Sequence, residues 1–294
     1  MSAVLALAVL TALGASLLYC GGAALQALEA RQRPDSDGLH TRLVRSLLLR
    51  PRWLLGTACV LGGWALQAGA LLLAPLTIVQ PMLAFGLIAL LVIGLRLLDE
   101  PVGRQEILAV AAIVVGVTGL ALSAPDRSAD HASLGVLIPT LAAFAVLALV
   151  PYAFRSHRYL GTFVILSGGV AYAWAGFSTN FAGQALASGR WLVFALWMGG
   201  TVVAALVGLI SEMTAFQHAP VTHVFPIMLV VQIVIAVAFS PLIAGESWAS
   251  TPFDGVALAA SLAVILVGAG ALAGGRGVGA AMAAPRRPAA ESGD

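Results

Sequence analysis

Glu212, in the stretch GLISEMTAF, is the one carboxylate that the sequence places clearly inside an apolar run. A charged side chain at the centre of a membrane helix costs about 2.5–3.5 kcal/mol on insertion scales, so it marks a pathway site by default. The chemistry open to it is proton or cation binding. The structural alternative is a residue at a water-filled mouth, paired to a loop arginine. Gln67 stands 145 residues earlier, in LGGWALQAGALLLAP. It is either a second lining residue or an interhelical hydrogen bond, worth about 0.6–2 kcal/mol in membranes. The same spacing relates two octets, APLTIVQP at 74–81 and APVTHVFP at 219–226, which agree at five of eight positions. They contribute Thr77 and Thr222, and Pro81 and Pro226. An intrahelical proline frees a carbonyl one turn earlier, and threonine can satisfy or expose such groups. That combination builds either a broken-helix binding site or a plain kink.

His223 follows Thr222, and His218 precedes the octet; both are of a type that titrates near neutral pH. His218 falls in a turn and is expected to be solvated, whereas His223 lies about one turn inside. The segment GGVAYAWAGFSTN (168–180) carries Tyr172, Trp174, Ser178, Thr179 and Asn180 among small residues. Small residues allow close helix approach, and the hydroxyls and amide could equally line a solute cavity. Glu212, His218 and His223 contain no close i, i+4 ligand pair, so a zinc site is not expected, nor is a cofactor. No Ser/His/Asp set, HExxH or phosphate loop appears, so the chain is not expected to be an enzyme.

These residues must be positioned by membrane helices. The chain has 294 residues, 60% hydrophobic and 10% charged, with mean hydropathy +0.99. A soluble domain carries about 25% charged residues. Apolar runs near 20 residues predict an all-α polytopic membrane protein. Nine spans are predicted, at 2–27, 53–73, 75–98, 105–124, 133–154, 159–182, 191–217, 221–245 and 253–274. The first is read as a retained helix, because it lacks the basic start of a secretory signal and is longer than a usual signal core. Residues 275–294, rich in Gly, Ala and Pro, read as a disordered cytoplasmic tail. Both cysteines, Cys20 and Cys59, fall inside apolar runs, so no disulfide framework is expected.

All 15 basic residues are arginine. Placing the loop 28–52 in the cytoplasm puts 13 of them on that side, against Arg127 and Arg190 outside. This bias predicts an outside N-terminus and a cytoplasmic C-terminus in the cell (inner or plasma) membrane. The arginines sit in loops rather than on one basic face, so nucleic acid is not an expected partner. Within the first loop, GLHTRLVRSLLLRPRW is either a short surface helix or a solvated loop. Trp53, Trp191 and Trp248 end spans and read as interface anchors.

The octets open the third and eighth spans, which cross in opposite directions. Each is followed by an apolar stretch ending in an acidic residue, Glu100 or Glu246, and then by a Gly- and Val-rich span. The two glutamates are expected to cap or neutralise the helix that follows each. Spans one to four (1–124) therefore match spans six to nine (159–274) as inverted repeats, with the fifth span (125–158) linking them. Inverted repeats are typical of secondary transporters with a site between the halves.

The stretch APLTIVQPMLAFGLIALLVIGLRLLDEPVGRQEILAVAAIVVGVTGLAL resembles the end of an EamA half in the drug/metabolite transporter superfamily. The first helix with its long basic loop, VPYAFRSHR, and YLGTFVILSGGVAYAW resemble the NIPA-type branch. The resemblance covers residues 1–274. It implies transport, and in NIPA-type proteins magnesium is the associated cargo. Here Trp64 occupies the acidic position of the second helix and Gln67 the amide position, which removes a carboxylate that Mg2+ would favour. The expectation is thus a secondary transporter of a small polar metabolite, working by alternating access and proton-coupled, with a divalent-cation (Mg2+) carrier and a non-transporting scaffold as alternatives. Its pathway would use Gln67, Thr77, Pro81, Ser178, Thr179, Asn180, Glu212, Thr222, His223 and Pro226. The bilayer and a small-molecule or cation substrate are its expected partners. A homodimer is one open oligomeric state.

The orientation has a direct test. A single cysteine introduced in the loop 28–52 should react with impermeant thiol reagents only after cells are opened, and one at Asp130 should react in intact cells.

Overall fold

A computed structural model describes residues 3–74, 76–123, 134–153, 160–244, 251 and 253–274. The side chain of Thr77, together with Glu246, Trp248, Arg127 and the tail 275–294, lies outside the described residues. The chain is all-helical; among the described residues there is no strand. The helices are α1 (Ala3–Ala30), α2 (Thr41–Leu47), α3 (Pro51–Leu73), α4 (Leu76–Leu97), α5 (Arg104–Leu122), α6 (Leu134–Ala153), α7 (Leu160–Ala187), α8 (Trp191–His218), α9 (Val221–Ala244) and α10 (Val256–Ala273). Eight of them are long and apolar enough to cross a membrane, and α4 adds a shorter described apolar stretch, Pro81–Leu97. Helices are the expected solution, because in hydrocarbon each backbone N–H and C=O must be satisfied within its own segment.

Prolines set several boundaries. Pro51 opens α3 at a position where its missing N–H costs nothing. Ala74 (φ −147°, ψ 154°) ends α3 and Ala219 (φ −136°, ψ 156°) ends α8, each extended because a proline follows. Each also returns its N–H to the carbonyl four residues back, Ala70 or Ala215. The two octets therefore begin with the same backbone break. Beyond it, α4 and α9 continue through Pro81 and Pro226.

Helix α1 packs on α3 and α4, and α7 packs on α8 and α9; α4 meets α5, α9 meets α10, and α5 lies against α10. Helix α6 packs chiefly on α7. Small residues make these approaches close. A Cβ on Gly116 would overlap the Ile265 side chain, and one on Gly268 would press on the Ala109 carbonyl and the Ile113 side chain. Likewise the Tyr19 ring lies over Gly63, and the Tyr172 ring over Gly208.

Three expectations are corrected by this packing. Helix α1 extends to Ala30 and carries Glu29, and α5 carries Glu106 in its first turn, both buried, so Glu212 is not the sole carboxylate within a membrane helix. The segment after α1 does form a short helix, α2, but Leu43 and Leu47 are buried beside α8, so its apolar face serves the protein core. Trp53 is 2% exposed and donates its indole N–H to Met213 Sδ at 3.3 Å, so it is a core residue rather than an interface anchor. Trp191 is exposed at the start of α8, as an anchor would be.

The α5–α10 contact yields a stability prediction. Gly268→Val should destabilise the protein by about 1–3 kcal/mol, the usual cost of overpacking. Gly270→Val, where a Cβ meets nothing within 4 Å, should leave thermal unfolding in detergent near wild type.

Candidate functional site

Three clusters of polar side chains join the helices. The first is built on Glu100, just past the end of α4. The N–H groups of Leu98 and Glu100 both close on the Gly94 carbonyl, and Asp99 between them takes a left-handed φ of 52°, a conformation that aspartate tolerates better than most residues. This turn carries the buried Glu100 side chain to the N-terminus of α9. There Oε1 accepts the Val221 N–H at 2.7 Å, and Oε2 accepts the Thr222 N–H at 3.0 Å and the Thr222 hydroxyl at 2.6 Å. The Arg31 guanidinium, at the end of α1, pairs with Oε1. A carboxylate at a helix N-terminus satisfies orphan amides and meets the positive end of the helix dipole. The expected cap on the following helix is thus replaced by a cap on α9, because Glu106 already serves α5 by accepting the Gly103 N–H at 2.8 Å. Beside this cap, His223 Nε2 lies 3.7 Å from Glu106 Oε1. The His223 ring is 0% exposed and neither nitrogen has a hydrogen-bond partner.

The second group is Glu212 on α8, buried, with the Tyr172 hydroxyl of α7 donating to Oε2 at 2.5 Å. One residue before it, Ser211 lies 3.1 Å from the Tyr152 hydroxyl of α6 and 3.3 Å from Ser167 Oγ of α7. The Tyr152 hydroxyl also reaches the Val207 carbonyl at 3.0 Å. The third group holds Gln67 on α3, whose Oε1 accepts the Tyr19 hydroxyl of α1 at 2.8 Å. Trp64, in the acidic position of the NIPA-type pattern, is 64% exposed on the outer surface of α3.

The remaining candidates do not join these groups. Ser178 is buried with its hydroxyl unpartnered. Thr179 bonds the Ala175 carbonyl at 2.8 Å and Asn180 accepts from Gln184 at 2.6 Å, both on an exposed face of α7. Pro81 and Pro226 are buried inside their helices. His218 is exposed, as expected.

Sequence reasoning did not single out Arg31, Glu106, Tyr19 or the buried Glu29. It also missed how the loop after α1 grips α8. The Leu39 N–H bonds Thr214 Oγ1 at 2.9 Å, and the Gln217 amide donates to the Pro34 carbonyl at 3.0 Å. An acidic first turn, as in RQEIL, was the available signal for Glu106. Nothing local marks the others, whose partners lie tens to hundreds of residues away. Among the described residues no group of three or more His, Cys, Asp or Glu could hold a metal ion.

Comparison with known proteins adds little. No family model matches the chain, and no solved structure matches it. An uncharacterized protein of Corynebacterium glutamicum is similar, 25% identical over 272 residues that cover 89% of this chain and 92% of that protein.

The buried and exposed ion pairs should behave differently. Glu100→Ala removes one partner of a buried pair and uncaps α9. It should cost about 3 kcal/mol, the low end for such a pair because Arg31 is partly exposed. Arg42→Ala, which breaks the 3.5 Å pair between the exposed Arg42 and the buried Asp37, should cost about 0–1 kcal/mol, because the arginine is solvated in the pair. Denaturant unfolding of the purified protein measures both.

Proposed function

We propose that this protein is a secondary transporter of a small polar metabolite, in which α1 with α3–α5 and α7–α10 form two inverted repeats joined by α6. The nine long helices would all span the cell membrane, with the N-terminus outside and the C-terminus in the cytoplasm. The observation that carries the reading is a set of contacts that recur in the two parts of the chain. Gly63 and Gln67 take Tyr19 as partner, and Gly208 and Glu212, each 145 residues later, take Tyr172. Gly116 packs on Ile265, and Gly268 packs on Ile113; each residue lies 152 positions from its counterpart, and the two contacts exchange. Exchange of this kind is what a pseudo-two-fold axis between α5 and α10 would produce. Such an axis in the membrane plane relates the halves of many transporters.

The resemblance to the EamA-like and NIPA-type proteins supports the same reading. A magnesium cargo is less well supported, because Trp64 faces outward where that pattern has a carboxylate. Intramembrane carboxylates at Glu212 and at the α4–α5 turn support a polar path, since such residues mark ion and solute routes. Glu212, hydrogen-bonded to Tyr172, is the group we assign to proton coupling. Its repeat mate Gln67 cannot ionise, so coupling would fall on one half.

Glu212→Gln keeps size and one hydrogen bond to Tyr172 and should fold normally. In proteoliposomes it should abolish uptake driven by a pH gradient while sparing substrate exchange. Wild-type rate and pH dependence in the variant would refute coupling at Glu212. A purified wild-type protein that neither binds nor moves any polar metabolite or Mg2+ would favour the scaffold reading.

A further inference from the structure

An apolar groove of about 230 Å³ runs along α1, which supplies Leu17, Gly21, Ala24 and Leu28; α3 adds Cys59 and α4 adds Leu97. Leu17 and Leu97 are exposed, so the groove opens on the outer surface of the first half. The matching surface of the second half is covered. Val170, Trp174, Phe177 and Phe181 of α7 stand 153 positions after the four α1 residues, the spacing that also separates Tyr19 from Tyr172. They pack against Leu137, Leu141 and Phe144 of α6. The first half has no helix in the place of α6, and Gly21 and Ala24 stand where α7 carries Trp174 and Phe177. A Cβ on Gly21 would meet nothing within 4 Å. A groove facing hydrocarbon does not stay empty, because a void deprives its lining of contacts. This one is too narrow to seat another helix, about 10–12 Å across with side chains, but it fits a single hydrocarbon chain.

We propose that the groove binds one acyl chain of an anionic phospholipid from the cytoplasmic leaflet, with the headgroup held by Arg52 and Arg96. Length and charge both fit. Leu17 to Leu28 spans about 16 Å at the helical rise, close to half of the ~30 Å hydrocarbon core and so to one leaflet. The groove ends beside Leu28 and Leu97, where α1 and α4 reach the side that carries the long basic loop. Arg52 lies two turns from Cys59 on the same side of α3, and Arg96 adjoins Leu97. Both arginines are exposed, and neither has an ion-pair partner among the described residues. Arg31 is committed to Glu100, and the exposed Asp99 offsets part of the remaining charge. Basic side chains at the cytoplasmic surface attract anionic lipid. The bound chain would brace α1, α3 and α4 as α6 braces the second half. This inference takes its orientation and its two halves from the proposed function and uses nothing about transport, which uptake reads separately.

Native mass spectrometry of the full-length protein, released from micelles holding equal amounts of phosphatidylglycerol and phosphatidylcholine, tests the site. The wild type should retain one phospholipid per chain, with phosphatidylglycerol at least fivefold more frequent than phosphatidylcholine. Gly21→Leu fills the groove and should lower the retained lipid at least fivefold. Gly176→Leu, at a glycine of α7 whose Cβ also meets nothing within 4 Å, should leave it unchanged. Arg52→Gln combined with Arg96→Gln should keep a lipid bound and bring the ratio of the two lipids near one. Should Gly21→Leu fail to fold, Cys59→Leu fills the same groove from α3. Equal retention of the two lipids by the wild type, or undiminished retention in the groove-filling variant, overturns the proposal. So does a second copy of the chain, rather than a lipid, lost on filling the groove.

Discussion

The contact on which the arrangement depends is the carboxylate of Glu100 against the N-terminus of α9. It joins residues 121 positions apart, satisfies two amides that Pro220 and the start of the helix leave open, and draws in Arg31 from the end of α1. Water is scarce at such a site, so the amides and the carboxylate need one another; separated, each would have to find solvent. The contact thus ties Arg31 and the α4–α5 turn to α9. The Leu39–Thr214 and Gln217–Pro34 bonds lie along the same end of α8, so the loop after α1 also grips α8.

Polar groups elsewhere are distributed unequally between the halves. Tyr172 and Glu212 form the acidic version of the pair that Tyr19 and Gln67 form in neutral guise. If the halves exchange roles during alternating access, the chemistry they expose differs even where the packing repeats. A carrier with an ionisable group on one side only can couple movement to a proton without binding two. The serine and tyrosine network around Ser211 and Tyr152 holds the helix turn that carries Glu212 against α6 and α7. This network ties α6 to both α7 and α8.

Much of the fold was legible in the sequence, because hydropathy over about 20 residues depends only on local composition. The break before each octet was legible too, since proline constrains its own neighbour whatever the tertiary context. Glu212 stood out as a charge in an apolar run, and it is buried against Tyr172. The partner of Glu100 was not legible: a carboxylate at a helix end reads as a cap for the nearest helix, and only the folded chain brings α9 closer. Glu29 escaped notice because the helix continues past Leu28 into residues whose polarity resembles a loop. Trp53 reads as an anchor by position, but its ring is claimed by Met213 from 160 residues away. Thr179 and Asn180 look like lining residues by type, yet helical phase turns them to an exposed face.

In the transporter reading proposed above, the Glu100 cap closes a seam between two moving halves. Spin labels at the exposed positions Asp99 and His218, near the two sides of that seam, measure it by double electron–electron resonance in lipid. The account predicts two distance populations, with Glu100→Gln moving weight from the shorter to the longer. A single distance, unchanged by that substitution, would contradict it.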